Sequence, residues 1–155
     1  MQRVSHLVAR AAARWSLQLG EPFGVGTASW TAPGTLPDGT PVVLKVTYPH
    51  SEAQFEAIAL RIWQGHSAVE LLDHHPGDWA LLMRRAIPGH LLLHDQSPPI
   101  DRLRIAFAIL ADLHRAPLEE FTMATLRSVA ATWSRVATER ANTWAHLYEP
   151  YRAEM

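Results

Sequence analysis

The 155 residues include no cysteine, one lysine and one asparagine. Without cysteine there is neither a disulfide framework nor a thiolate metal site, which suits a reducing compartment. No apolar run approaches the roughly 18 residues that a membrane-spanning helix needs. The opening MQRVSHLVARAAARWSLQL also lacks the apolar core of a signal peptide, and a short amphipathic helix is expected there instead. Charge of one sign is equally scarce: the formal net charge is -1. Phosphate neutralisation needs a concentrated basic surface, so no nucleic-acid partner is expected. Hydrophobic residues make up 48% and charged residues 19% of the chain, the balance of a globular protein. A cytoplasmic protein with no membrane partner is the resulting expectation.

Two textures follow one another along the chain. From about residue 15 to residue 90, short β-like runs alternate with Gly and Pro. WSLQLGEPF (residues 15–23) reads as a strand, GVGTAS (24–29) as a loop, and SWTAPGTL as a second strand. Asp38-Gly39 in LPDGTP is a hairpin signal leading into PVVLKVTY. Alternation puts Val42, Leu44 and Val46 on one face of that strand and Val43, Lys45 and Thr47 on the other. Ser51 with Gln54 forms a capping box for a helix reaching about Gln64, with a stripe of Phe55, Ile58, Ala59 and Ile62, and Gly65 as its stop. AVELLDH and DWALLMRRAI, joined by HHPGD, complete the strands. After Pro98-Pro99 the chain turns helical. IDRLRIAFAILADLHRA carries Leu103, Ala106, Phe107, Leu110 and Leu113 at helical spacing. A longer helix from about Glu119 to Leu147 shows Leu126, Val129, Trp133, Val136, Ala137, Trp144 and Leu147.

Thirteen of the fourteen basic residues are arginine, and the lone Lys45 sits within an apolar strand. It follows a strand–loop–strand with Gly24, Gly26, Thr27 and Ser29, and it precedes a helix bearing Glu52 and Glu56. Rossmann and P-loop readings fail, because both need a helix directly after the glycines. A glycine flap between two strands instead lets backbone amides approach nucleotide phosphates. A strand ammonium can then grip the phosphates, steadied by a helix carboxylate. Glu56 is preferred over Glu52 because it lies deeper in the helix. Val43 would lie against the base. His74, His75, His90 and His94 read as surface turn residues with no helical carboxylate beside them, so no metal site is expected.

WSLQLGEPFGVGTASW, LPDGTPVVLKVTYPHSEAQFEAIALRIW and LLDHHPGDWALLMRRAIPG together resemble the aminoglycoside phosphotransferase family. The resemblance is to its streptomycin 6-kinase, or aminoglycoside/hydroxyurea resistance kinase, branch. It covers about residues 12–116, where LADLHRAP is similar to a family helix ending in Leu-His. It implies an α+β fold: a protein-kinase-like small lobe with a five-stranded antiparallel sheet and one helix, then the first helices of a large lobe. The expected division is residues 1–90 for the nucleotide-binding lobe and 91–155 for the helical segment. By the same resemblance Lys45 binds the ATP phosphates, Glu56 is its partner, and residues 83–87, with Met83 and Arg85, form the hinge facing adenine. Arg84 stands where an acidic residue would be expected.

Phosphoryl transfer also needs an aspartate to orient the acceptor hydroxyl, and an asparagine and a second aspartate for Mg²⁺. The family takes these from a His-Gly-Asp…Asn loop and a later aspartate. Here the one asparagine is Asn142, with Ala137 five positions before it, and the six aspartates at 38, 73, 78, 95, 101 and 112 fit no such loop. No catalytic residue is therefore assigned. The expectation is a truncated ATP-binding portion of a kinase, inactive alone, with weak or absent ATP binding and with Mg²⁺ used only by the full-length family. The alternatives are a non-catalytic interaction module and a non-functional remnant. Self-association through exposed helices, or pairing with a separate C-terminal half, is expected.

Overall fold

A computed structural model describes residues 2–24, 28–50, 53–117 and 125–148. Two compact units divide it, Met1–Glu120 and Phe121–Met155. The first holds all the strands. Helix α1 (Gln2–Arg14) leads into β1 (Gln18–Leu19), β2 (Ser29–Thr35) and β3 (Pro41–Thr47). Helix α2 (Glu56–Trp63) follows, then β4 (Leu71–His75), β5 (Ala80–Arg84) and α3 (Pro99–Leu113). The second unit contains α4 (Leu126–Tyr148). The strands form one antiparallel sheet in the order β1-β2-β3-β5-β4, so the α+β architecture is as expected.

The expected alternation of β3 is present: Val42, Leu44 and Val46 are buried, and Val43 and Lys45 are half-buried opposite them. The Asp38-Gly39 turn works through two features. Gly39 adopts φ 86°, and the Asp38 carboxylate accepts a 2.9 Å hydrogen bond from the Thr40 amide. That bond also holds the Asp38 carboxyl below its usual pKa range. Regular pairing of β1 stops early, because Pro33, opposite Gly20, and then Pro22 have no amide to offer the ladder. Only Gly20 and Phe23 extend it, donating to the carbonyls of Pro33 and Thr31.

Each sheet face has its own cover. Leu7, Val8 and Ala11 of α1 pack with Trp15 on Leu44, Val46 and Ala80. Ala57, Leu60 and Trp63 of α2 pack on Leu81, Met83, Val43 and Leu71. Strand β5 is therefore buried on both sides. The helix face meeting the sheet is not the expected one: Phe55, Ile58, Ala59 and Ile62 stay half-buried, while Ala57 and Leu60 are buried. Small Ala57 lets the helix approach the strands closely, which fixes the contact face by fit instead of by hydrophobicity. The helix also starts later than expected, through a 3-10 turn at Ala53–Phe55. Ser51 of the capping box lies outside the described residues. The end is sharp, with Gln64 at φ 48° and Gly65 at φ 78°.

A buried ionic knot ties α1 to the β4–β5 turn. Asp78 is fully buried, with Arg10 at 2.7 Å and His75 at 2.9 Å from its carboxylate oxygens, and Arg14 at 3.9 Å. These approaches are close but poorly aligned for hydrogen bonding, so the two arginines hold the carboxylate chiefly through their charge. Along α3, by contrast, Leu103, Phe107 and Leu110 are exposed, as are Ile100, Ile105 and Ile109. It is tied at its two ends: Arg102 donates 2.7 Å to the Leu93 carbonyl, the Trp63 indole donates 3.1 Å to the Leu113 carbonyl, and Ser67 bonds Asp112. In α4, Leu126, Trp133 and Trp144 are exposed and Val129 and Val136 half-buried. The expected start of that helix, at Glu119, lies outside the described residues.

Candidate functional site

On the α2 face of β3 the side chains of Val43, Lys45 and Thr47 form a line. Register places Met83 opposite Val43 and Leu81 opposite Lys45. The Lys45 ammonium meets the Glu56 carboxylate at 2.5 Å, with both side chains mostly shielded, 24% and 30% exposed. Shielding makes such a pair less screened than one in open water. Its geometric effect is to hold one ammonium, the only lysine nitrogen in the chain, at a fixed point over the sheet.

At the Val43 end a cavity of about 230 Å³ opens, lined by Phe23, Val43, Val69, Met83, Ala86 and Gly89 among others. It has an apolar floor and a rim of backbone. The Arg84 amide donates to the Glu70 carbonyl at 2.9 Å and the Arg85 amide to the Pro41 carbonyl at 3.2 Å. Ala86 is the first residue after β5 whose amide has no backbone partner among the described residues. Gly89 shapes this rim: it has φ 68°, and a Cβ there would stand 2.6 Å from the Ala86 carbonyl oxygen. Arg84 points away from any phosphate role, bound to Glu70 at 2.5 Å.

The structure thus brings Val43, Lys45, Glu56 and Met83 together, with Arg85 on the cavity rim. Ser29 pairs with Thr47 at the start of β2. Gly24 is exposed, with open space around a built Cβ. Gly26, Thr27 and Glu52 lie outside the described residues. Sequence reasoning missed Phe23 and Val69, whereas Ala86 falls in the expected hinge, residues 83–87. Phe23 had a signal, as the last apolar residue before the glycines. Val69 had none, since only the packing of chain segments brings it to the cavity.

The six aspartates are occupied elsewhere. Asp38 caps its turn, Asp73 accepts the Trp15 indole at 2.7 Å, and Asp78 is in the ionic knot. Asp95 accepts the Ser97 amide, Asp101 holds Arg104, and Asp112 holds Arg115. Ser97 keeps the Asp95 carboxyl below its usual range. Among the described residues no group of three or more His, Asp or Glu side chains could hold a metal ion. None of the helices there is long and apolar enough to cross a membrane.

Comparison with known proteins fits this arrangement. A family model described as aminoglycoside/hydroxyurea antibiotic resistance kinase matches residues 14–153, further toward the C-terminus than the motifs alone reach. A streptomycin 6-kinase of Streptomyces griseus is 32% identical over 111 residues, covering 72% of this chain and 36% of that protein. A streptomycin 6-kinase of Streptomyces glaucescens is 39% identical over 72 residues, 46% of this chain and 24% of that one. A hydroxyurea phosphotransferase of Kitasatospora aureofaciens is 34% identical over 85 residues, 55% and 25% respectively. The matched part thus spans about a third or less of these relatives. The family match, which runs through both the strands and the helices that follow, makes this chain a member of the aminoglycoside/hydroxyurea antibiotic resistance kinase family.

Proposed function

We infer that the chain is the ATP-binding portion of a kinase that, at full length, transfers the γ-phosphate to a hydroxyl of an aminoglycoside such as streptomycin. Residues 1–90 serve as the nucleotide lobe and 91–155 begin a large lobe. The observation that carries this reading is the shielded Lys45–Glu56 pair, 2.5 Å long, two residues along β3 from Val43, which lines an apolar cavity. Adenine lies against Val43 and Met83, with the Ala86 amide as donor. Lys45 then reaches the phosphates. Gly24 has room to spare, so a methyl group there would disturb a ligand before it disturbed the fold.

The residues present supply a clamp and no acceptor-activating carboxylate, so these 155 residues alone bind ATP weakly and do not turn over. Mg²⁺ belongs to the full-length enzyme. The cytoplasm, where ATP is plentiful, is the proposed location. Thermal shift with ATP tests the clamp: a stabilisation seen in the wild-type chain should vanish in Lys45→Ala. An assay with ATP, Mg²⁺ and streptomycin should show no product, and turnover would refute the inactivity. A second reading rests on the exposed Leu103, Phe107, Leu126 and Trp133. Burying each is worth roughly 1.5–3 kcal/mol, which favours association with another copy or with a separate C-terminal half. Sedimentation should show concentration-dependent association, and a clean monomer would count against it.

A further inference from the structure

Glu56 and Trp63 are the first and last residues of the same short helix, α2. Eight residues at 1.5 Å each make a rod about 12 Å long, and its internal hydrogen bonds make it move as one piece. Its Glu56 end is lightly fastened. The residue before Glu56, Phe55, gives no side-chain capping bond, and a 3-10 turn stands in for a regular start. In the middle, Ala57 and Leu60 rest on the sheet. Packing of this kind permits small sliding of a helix over its support.

The Trp63 end is held by directional bonds to α3. Its indole donates 3.1 Å to the Leu113 carbonyl, one of those that a helix end leaves without an intrahelical partner. Just beyond, the Ser67 hydroxyl donates 3.2 Å to the Asp112 carboxylate. Between these two contacts the backbone is left-handed three times, at Gln64 (φ 48°), Gly65 (φ 78°) and Ser67 (φ 56°). Two of those residues are not glycine, and such a conformation persists only where its surroundings hold it. Besides the loop's own backbone bonds, the last turn of α3 does the holding. Helix α3 buries none of its residues, so its link to α2 depends on these polar contacts.

We propose that the end of α3 positions the Lys45–Glu56 pair: Trp63 and Ser67 set where α2 sits along the sheet, and a displacement of α3 reaches Glu56 as a sliding of the whole helix. Trp63 is then a positioning residue, two turns from the carboxylate it places. The consequence for phosphate binding rests on the nucleotide reading above. It makes the clamp respond to whatever engages the open apolar sides of α3.

The test uses the intact chain labelled with ¹³C-lysine, first without nucleotide. Lys45 is the only lysine, so its Cε signal reports the pair alone, and Glu56→Ala marks the position of a broken pair. Trp63→Phe keeps an aromatic ring and loses the donor, and it should move the signal part of the way there. Ser67→Ala, at an exposed position that removes no ring, should move it in the same direction, and the double variant further. Arg104→Ala breaks an exposed pair elsewhere on α3 and should leave it in place. With Mg²⁺ and ATP added, affinity should fall roughly two- to tenfold in Trp63→Phe, the loss expected of one hydrogen bond. A lysine signal unmoved in Trp63→Phe, Ser67→Ala and the double variant would overturn the proposal, even with a lowered melting temperature, because the bonds would then only stabilise the fold. So would an equal movement in Arg104→Ala, or unchanged ATP affinity in Trp63→Phe when the wild type binds. A signal that moves as expected in a chain taking up no ATP would support the positioning and refute the nucleotide reading, so the two fail separately.

Discussion

The sheet and helix α3 use similar amounts of apolar sequence to opposite effect. In the sheet, Val42, Leu44, Val46 and Leu82 are buried beneath one helix or the other. In α3, Ile100, Leu103, Ile105, Phe107, Ile109 and Leu110 point in many directions and all stay exposed. A strand needs cover on two faces, and here α1 and α2 supply both. A helix that is apolar on most sides is the pattern of one buried in a larger helical layer. The difference teaches that the sheet buries its apolar residues between its own two helices, whereas α3 leaves its own exposed.

Mutations sharpen that contrast. Leu44→Ala, at a fully buried position, should cost about 3 kcal/mol or more in urea unfolding, whereas exposed Phe107→Ala should change stability by less than about 0.5 kcal/mol. Equal effects would mean that α3 is as well packed as the sheet. Arg10→Ala comes next. Removing one partner of the buried Asp78 should cost about 3 kcal/mol, at the low end for such pairs because His75 and Arg14 remain. Arg104→Ala on α3 breaks only an exposed pair and should cost under about 0.5 kcal/mol. Gly89→Ala should cost about 1–2 kcal/mol from its left-handed backbone alone, with more from the clash with the Ala86 carbonyl.

The smallest effects are on pH. The Trp15 indole, chief among several contacts, lowers the Asp73 pKa below 3.8. A depressed carboxyl adds stability above its unfolded value, and that stability is lost as pH falls through the folded value. Trp15→Phe should therefore flatten acid unfolding below pH 3.8. His74 is depressed from 6.5, so the unfolded chain takes up its proton first and stability declines as pH falls below 6.5. His74→Gln should flatten that slope in urea melts. Unchanged slopes in both variants would show that neither residue is linked to folding.

Much of this was legible from residue order. Alternation marked β3, a β-like run marked β5, and Asp38-Gly39 marked the hairpin. The isolation of Lys45 among arginines pointed to its pairing with Glu56. What stayed hidden depends on segments far apart in the chain. The contact face of α2 follows from Ala57 fitting against Leu81 and Met83, which no helical period could select over Ile58 and Ile62. The burial of Asp78 depends on Arg10 arriving from the first helix.

The clamp itself is tested most directly by calorimetric titration of ATP with Mg²⁺ into the wild-type chain, Lys45→Ala and Glu56→Gln. The expected result is weak, saturable binding that falls about tenfold or more when the ammonium is removed, and by less when its carboxylate partner is neutralised. Equal affinity in wild type and Lys45→Ala, or no uptake by the wild-type chain, would contradict the assignment of this sheet face to a nucleotide.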